Sequence, residues 1–124
     1  MNVVDSSGWL EYFAKGPNAT FFAPAILAGE QLVVPTISMY EVYKRILQQR
    51  DDEEALAAVG LMTVGIVIDL TQEIALAAAD LSVEHKLPMA DAVILATARA
   101  NSATLWTQDE HFKDLPDVRY AKKP

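Results

Sequence analysis

The sequence predicts an α/β protein: a single-domain α/β/α sandwich with a short, mainly parallel sheet of four to five strands. Short, almost wholly apolar runs alternate with longer stretches of helical periodicity, as expected when helices cover both faces of a parallel sheet. The chain has 124 residues, 52% of them hydrophobic, which suits one domain spanning residues 1–124. Its charged fraction of 22% is typical of a folded chain.

The N-terminal half is predicted to contain two short strands and four helices. Ser6 or Ser7 caps the first helix, because a serine oxygen can accept from the free amides of the first turn. Pro24 marks a point where the second helix breaks or kinks, and Pro35 ends the second strand. In chain order the elements are a strand at 2–4, a helix stopped by Gly16-Pro17, a helix at 18–29, a strand at 31–34, and helices from 36 or 38 to 50 and from 51 or 52 to 62.

The C-terminal half continues the alternation. Apolar residues at helical spacing, such as Ile74 and Leu81, predict one helix. Pro88 fits the first residue of the next helix, where the missing amide hydrogen is not needed. In chain order we expect a strand at 65–68, helices at 71–86 and 88–100, a strand at 103–107, a short turn or helix at 109–112, and an edge strand at 118–120.

Composition limits the classes of function. The chain has no cysteine, which excludes disulfides, thiolate zinc sites and cysteine nucleophiles, so we expect a cytoplasmic protein. No apolar run reaches the ~20 residues of a membrane span, so we expect a soluble one. The net charge of −7 counts against a purely electrostatic nucleic-acid binder. A bound divalent cation would nevertheless reverse the field around a cluster of acids.

Four acids stand where a parallel α/β sheet binds ligands, at the carboxyl ends of its strands. Asp5 follows the first strand and Asp109 follows the fourth. Glu41 lies in the first turns of the helix after the second strand, and Asp91 lies in the first turn of the helix that starts at Pro88. Carboxylates that converge there repel one another unless a cation binds between them. Oxygen-only ligands favour Mg²⁺ or Mn²⁺, ions that activate water against phosphodiesters.

The segments around these acids resemble the four signature blocks of PIN domains, mostly those of VapC-type toxins from toxin–antitoxin pairs. The resemblance spans nearly the whole chain, and its blocks are Val4–Ser7, Ser38–Glu41, Ala90–Ala98 and Leu105–Phe112. It implies an endoribonuclease that needs Mg²⁺ or Mn²⁺ and leaves a 5′-phosphate and a 3′-hydroxyl. It also implies a cognate antitoxin and a homodimer.

The same resemblance implies roles for particular residues. Asp5, Glu41, Asp91 and Asp109 would be metal ligands or water-activating bases. The hydroxyl of Thr107 would lie beside the site, and Ser6 or Ser7 would help to orient Asp5.

Plainer interpretations stay open for each acid. Glu41 completes a Ser38-x-x-Glu41 capping box and stands four residues before Arg45, so it could be structural. Asp91 could complement a helix dipole, and Asp109 could cap a turn. His85 and His111 show no metal-ligand spacing, and His111 is expected as a surface residue beside the site.

Two other functions remain as alternatives. One is a catalytically silent PIN fold that works only by binding partners. The other is a receiver-like phospho-switch, an α/β module that also gathers acids and Mg²⁺ at one edge of its sheet.

Overall fold

The computed structural model describes residues 1–124 and contains five strands, six α-helices and two 3₁₀ turns. The strands are β1 (Asn2–Val4), β2 (Leu32–Pro35), β3 (Ile66–Ile68), β4 (Thr104–Thr107) and β5 (Val118–Tyr120). The helices are α1 (Ser6–Phe13), α2 (Ala19–Ile26), α3 (Thr36–Gln49), α4 (Asp52–Met62), α5 (Gln72–His85) and α6 (Met89–Ala100), with 3₁₀ turns at Gly29–Gln31 and Glu110–Phe112.

The five strands form one sheet in the order β3-β2-β1-β4-β5, and all four pairings are parallel. The prediction of a mainly parallel sheet is therefore confirmed. Receiver-like modules have the order 2-1-3-4-5, so the phospho-switch alternative is wrong. The chain runs outward from β1 to β2 and β3, then crosses to β4 on the other side of β1. Such a reversal opens a crevice at the carboxyl ends of β1 and β4.

Helices cover both faces of the sheet, as the predicted sandwich requires. Successive residues of a strand point to opposite faces, so Val3 and Leu105 pack with α5 and α6, whereas Val4 and Trp106 pack with α1 to α4. Each face therefore has its own buried cluster. The central strands are buried, but the edge strand β3 leaves Ile66 and Val67 exposed. None of the helices is both long and apolar enough to cross a membrane.

Two predicted element ends are wrong. The second helix ends at Ile26 and does not continue to Gly29. Gly29 has a φ of 58°, a left-handed conformation that glycine tolerates but that excludes it from the helix. The first helix is capped by Asp5 rather than by Ser6 or Ser7: Oδ1 of Asp5 accepts from the Gly8 amide at 2.8 Å. Both serines already lie inside α1, where a residue cannot act as its cap.

The capping-box interpretation of Glu41 is also wrong. Helix α3 begins at Thr36, after Pro35, and has no side-chain cap. Ser38 therefore lies within the helix, where its hydroxyl is buried without a hydrogen-bond partner. Glu41 forms no ion pair with Arg45, since its bonded partner lies in α1.

Candidate functional site

A cavity of about 380 Å³ opens at the carboxyl ends of β1 and β4, and all four predicted acids line it. Asp5 and Asp109 enter from the ends of these two strands. Glu41 comes from the second turn of α3, and Asp91 comes from the first turn of α6. Four side chains far apart in sequence therefore meet in one space, as their positions at strand and helix ends predict.

Asp5 is the most enclosed of the four acids. Its carboxylate accepts from the Gly8 amide at 2.8 Å, from the Ser7 hydroxyl at 2.9 Å and from the Thr107 hydroxyl at 2.6 Å. Burial raises the pKa of Asp5 from 3.8 to about 6, in spite of these hydrogen bonds, and the nearby Asp109 charge adds to the rise. A carboxylate held this way gains from a cation, because a positive charge favours its ionised form.

Gly8 allows this arrangement because it has no side chain. A Cβ atom at this position would lie 2.6 Å from the ring of Phe22 and 2.7 Å from Val4, closer than atoms can pack. The first turn of α1 can therefore rest directly on the sheet and its neighbouring helix. That contact brings the Gly8 amide to the carboxylate of Asp5.

Thr107 lies behind the cavity instead of lining it. The residue is fully buried. Its hydroxyl group donates to Asp5 Oδ2 at 2.6 Å, and the hydroxyl oxygen of Thr107 accepts from the Asp109 amide at 2.8 Å. It therefore connects two of the acids. Its geometry is that of a residue that positions Asp5 and Asp109.

Asp91 and Asp109 form a more open group with His111. The imidazole Nδ1 of His111 lies 3.1 Å from Asp91 Oδ2 and 3.2 Å from Asp109 Oδ1. Partial burial raises the pKa of Asp91, the hydrogen bond from His111 lowers it, and the Asp109 charge raises it again. Asp109 also caps the 3₁₀ turn after β4 by accepting from the His111 amide at 2.9 Å. Asp109 therefore caps the turn and lines the cavity at the same time, so the two interpretations are compatible.

Helix α3 forms the remaining wall. Glu41 Oε1 accepts from the Ser6 hydroxyl at 2.6 Å, so the two serines divide between two acids: Ser6 holds Glu41 and Ser7 holds Asp5. Beyond Glu41 the wall continues with exposed Tyr40, Lys44 and Arg45. Neither Lys44 nor Arg45 has an acidic partner within an ion pair.

The donors of this cavity fit Mg²⁺ or Mn²⁺. Both ions prefer oxygen ligands, and carboxylates supply them here. The three donors to Asp5 use three of the roughly four lone-pair directions of a carboxylate, which leaves it capacity for one further ligand. Asp91 and Asp109 have oxygens within 4.8 Å of each other and of His111, a spacing that one ion can bridge. Asp5 and Glu41 line the same cavity but do not belong to this closest group.

Several residues of the site were not predicted from the sequence. The Gly8 amide cannot be recognised without the bend of the chain after β1. His111 follows Asp109 by two residues, and only the 3₁₀ turn brings its ring to Asp91, which is 20 residues away in sequence. Lys44 and Arg45 lie one turn after Glu41 on the same helix, a spacing that places them on the same side of α3 as that acid.

The sequence profile described as PIN domain matches residues 3–118. No curated protein sequence matches the chain.

Solved structures resemble the chain along almost its whole length. A chain of a toxin–antitoxin complex from Klebsiella pneumoniae superposes with a TM-score of 0.79 at 25% identity, covering 96% of each chain. VapC20 of Mycobacterium tuberculosis, described as a sarcin-ricin loop cleaving toxin, gives a TM-score of 0.76 at 19% identity over 94% of this chain and 95% of its own. VapBC2 of Rickettsia felis, bound to a promoter DNA fragment, gives 0.74 at 16% identity over 98% and 97%.

Proposed function

Because this chain belongs to the PIN domain family, we propose that it is an Mg²⁺- or Mn²⁺-dependent endoribonuclease and the toxin of a type II toxin–antitoxin pair. The observation that carries the proposal is the convergence of Asp5, Glu41, Asp91 and Asp109 on one open cavity. The similarity to a chain of the Klebsiella toxin–antitoxin complex over 96% of both chains supports the toxin assignment.

In this proposal the acids have two different roles, cation binding and proton transfer. Asp5, Asp91 and Asp109 hold the cation, with Thr107 fixing the spacing of Asp5 and Asp109. A divalent cation bound there would supply a water of lowered pKa and neutralise charge on the phosphoryl oxygens. Glu41 would accept a proton from the attacking water through the carboxylate oxygen that Ser6 leaves free. As the water oxygen bonds to phosphorus, the P–O3′ bond breaks, and the leaving 3′-oxygen takes a proton from solvent.

RNA is the substrate that the wall of the cavity favours. Lys44 and Arg45 lie beside the acids without acidic partners, where they can contact phosphates on either side of the cut bond. Exposed Tyr40 stands next to them and presents a ring on which a base can stack. These contacts offset the acidity of the chain as a whole, and they agree with the toxin relative that cleaves the sarcin-ricin loop.

Cleavage of a generic RNA by the purified protein tests the activity. We expect cleavage with Mn²⁺, products with 5′-phosphate ends, and loss of activity in EDTA. Asp5→Asn should reduce cleavage to background, whereas the matched control Asp80→Asn, on the exposed face of α5, should cleave like the wild type. Cleavage that survives both EDTA and Asp5→Asn would refute the mechanism. Binding of Mn²⁺ without any cleavage would favour the catalytically silent alternative.

We also propose that an antitoxin covers the site. A groove of about 650 Å³ adjoins the acidic cavity and shares Ser7, Leu10 and Arg45 with it. Apolar side chains from three helices line part of the groove, among them Phe13, Ile46 and Ala58. A partner helix can place its apolar face there, while an arginine or lysine from the same partner enters the acidic cavity in place of the cation.

Expression of the protein alone and with the product of the neighbouring gene tests the toxin role. Growth should stop in the first case and recover in the second, and Asp5→Asn should be harmless. If the wild-type protein cleaves RNA in vitro but does not stop growth when expressed alone, the toxin assignment is contradicted and the nuclease activity is not.

The proposal includes a homodimer in the cytoplasm. Large apolar side chains stay exposed on β3 and α5, among them Val67, Leu76 and Val83, and a second copy would cover such residues. Sedimentation equilibrium of the wild type and of Val83→Lys measures this. A wild type that stays monomeric at high concentration would contradict the dimer.

A further inference from the structure

We propose that His111 is a metal ligand of the acidic cavity, and that its imidazole makes the site prefer Mn²⁺ to Mg²⁺. The inference deepens the proposed function and rests on it, since it concerns the same cation. The family resemblance implied roles for the four acids of this site, but it implied none for His111.

The first support is the convergence of three donor atoms from two separate elements. Asp91 comes from α6, whereas Asp109 and His111 come from the turn after β4. One oxygen of each acid and one ring nitrogen of His111 all lie within 4.8 Å of one another. The nitrogen faces both carboxylates, at 3.1 Å and 3.2 Å.

The spacing of these atoms matches that of neighbouring ligands on one ion. Adjacent ligands of an octahedral ion, each about 2.1 Å from it, lie about 3.0 Å apart. The separations of 3.1 Å and 3.2 Å from His111 to the two acids are close to this value. The two acid oxygens lie within 4.8 Å of each other, so one ion can bind all three atoms if those oxygens take adjacent positions about 3.0 Å apart, or opposite positions about 4.2 Å apart.

The surroundings of His111 leave its ring available. Its side chain is 52% exposed, so little packing energy depends on its orientation, and the backbone amide of the same residue anchors the turn by donating to Asp109. The ring nitrogen that does not face the acids has no hydrogen-bond partner in the chain. That nitrogen can carry the proton in solvent while Nδ1 offers its lone pair to the ion.

A nitrogen ligand changes which ion is favoured. Mg²⁺ is a hard ion that binds oxygen and keeps several waters. Transition-metal ions bind imidazole more readily than Mg²⁺ does, and Mn²⁺ is the member of that series that also suits carboxylates. A site with two aspartates and one histidine should therefore discriminate in favour of Mn²⁺, and the discrimination should depend on His111.

Spectroscopy of bound Mn²⁺ tests the ligand directly and does not depend on cleavage. Electron spin echo spectra of the wild type with Mn²⁺ should show nitrogen modulation from a coordinated imidazole, and His111→Ala should lack it. The chain has only two histidines, so His85→Ala is the matched control and should keep the modulation. Titration followed by the free Mn²⁺ signal should show about tenfold weaker binding in His111→Ala. Competition experiments should show that Mg²⁺ affinity changes by less than about twofold.

The outcomes separate this inference from the function on which it rests. Nitrogen modulation that persists in His111→Ala, or equal losses of Mn²⁺ and Mg²⁺ affinity, would overturn it. It would also be overturned if the wild type bound Mn²⁺ without nitrogen modulation and Asp91→Asn abolished that binding. In that case the acidic metal site and the proposed nuclease activity would not be contradicted. A wild type that binds no divalent cation would overturn both.

Discussion

Asp5 and Asp91 line the same cavity, but one belongs to an enclosed half and the other to an open half. Asp5, in the enclosed half, is buried and accepts hydrogen bonds from Ser7, Gly8 and Thr107. Asp91, in the open half, is only partly buried, and its one hydrogen-bond partner is the exposed ring of His111.

The difference shows that a site can fix its geometry on one side and exchange ligands on the other. The enclosed half keeps Asp5 in place before any ion arrives, at the expense of stability, because burial opposes its charge. The open half is reached by solvent, and its side chains have room to adjust to the proposed cation.

The largest expected effect is on the pH dependence of stability without metal. The pKa of Asp5 is about 6 in the folded state against 3.8 as the ordinary value, so the folded state binds more protons between these values. The contribution of this carboxyl group to stability is therefore greatest below about pH 4 and is lost as pH rises through about 6. Between pH 4 and 7 the wild type in EDTA should lose about 3 kcal/mol relative to Asp5→Asn. Urea unfolding of both proteins at several pH values measures this, and parallel pH curves would contradict it.

The next effect compares the two halves at pH 7. In EDTA, Asp5→Asn should raise the free energy of unfolding by about 2 kcal/mol, since it removes a buried charge but weakens the hydrogen bond from Thr107. Asp91→Asn should raise it by less than about 1 kcal/mol, because solvent already screens that carboxylate. Mn²⁺ should stabilise the wild type and neither variant. Equal gains for both variants would mean that the two halves do not differ as described.

The parts of this site that the sequence predicts are those fixed by strand and helix ends. Asp5 and Asp109 follow apolar strands directly, and parallel pairing then brings them to one edge. Asp91 was harder to place because its helix follows another helix, yet α6 begins at the same edge. The fold followed from the alternation of elements, and its strand order became known only with the structure.

Side-chain pairings could not be predicted, because they depend on the exact start of each helix. A capping box at Ser38 requires α3 to begin at Met39, whereas α3 begins three residues earlier, at Thr36. The capping of α1 by Asp5 frees Ser6 to bind Glu41, which is 35 residues away. The sequence preference for serine at helix N-termini predicted that Ser6 or Ser7 caps α1. Contacts between distant parts of the chain determine their hydrogen-bond partners instead.

Thr107→Val tests the connection between the two halves. Valine keeps the shape of threonine but leaves Asp5 Oδ2 with only the longer hydrogen bond from the Ser7 hydroxyl, at 3.1 Å. It also leaves the Asp109 amide without its acceptor, and together these losses should cost about 1.5 kcal/mol at pH 7. The loss of the threonine donor should also raise the pKa of Asp5 further, so the variant should gain more stability than the wild type on acidification. Thr107→Ser keeps the hydroxyl and should restore both properties. A valine variant as stable as the wild type would show that the two acids are positioned independently.

The smallest expected effect concerns the hydrogen bond from Ser6 to Glu41. Ser6→Ala should lower the free energy of unfolding by less than about 1 kcal/mol, because the bond is only partly buried. A double-mutant cycle with Glu41→Gln isolates the pair, and a coupling energy of about 0.5 kcal/mol is expected between residues in contact. If Glu41 accepts the proton from water, Ser6→Ala should lower kcat more than it raises KM, because the serine orients the carboxylate without touching RNA. If the changes in unfolding free energy of the two single variants add up in the double variant and kcat is unchanged, Ser6 does not orient Glu41. The orientation of Glu41 would then depend on α3 alone.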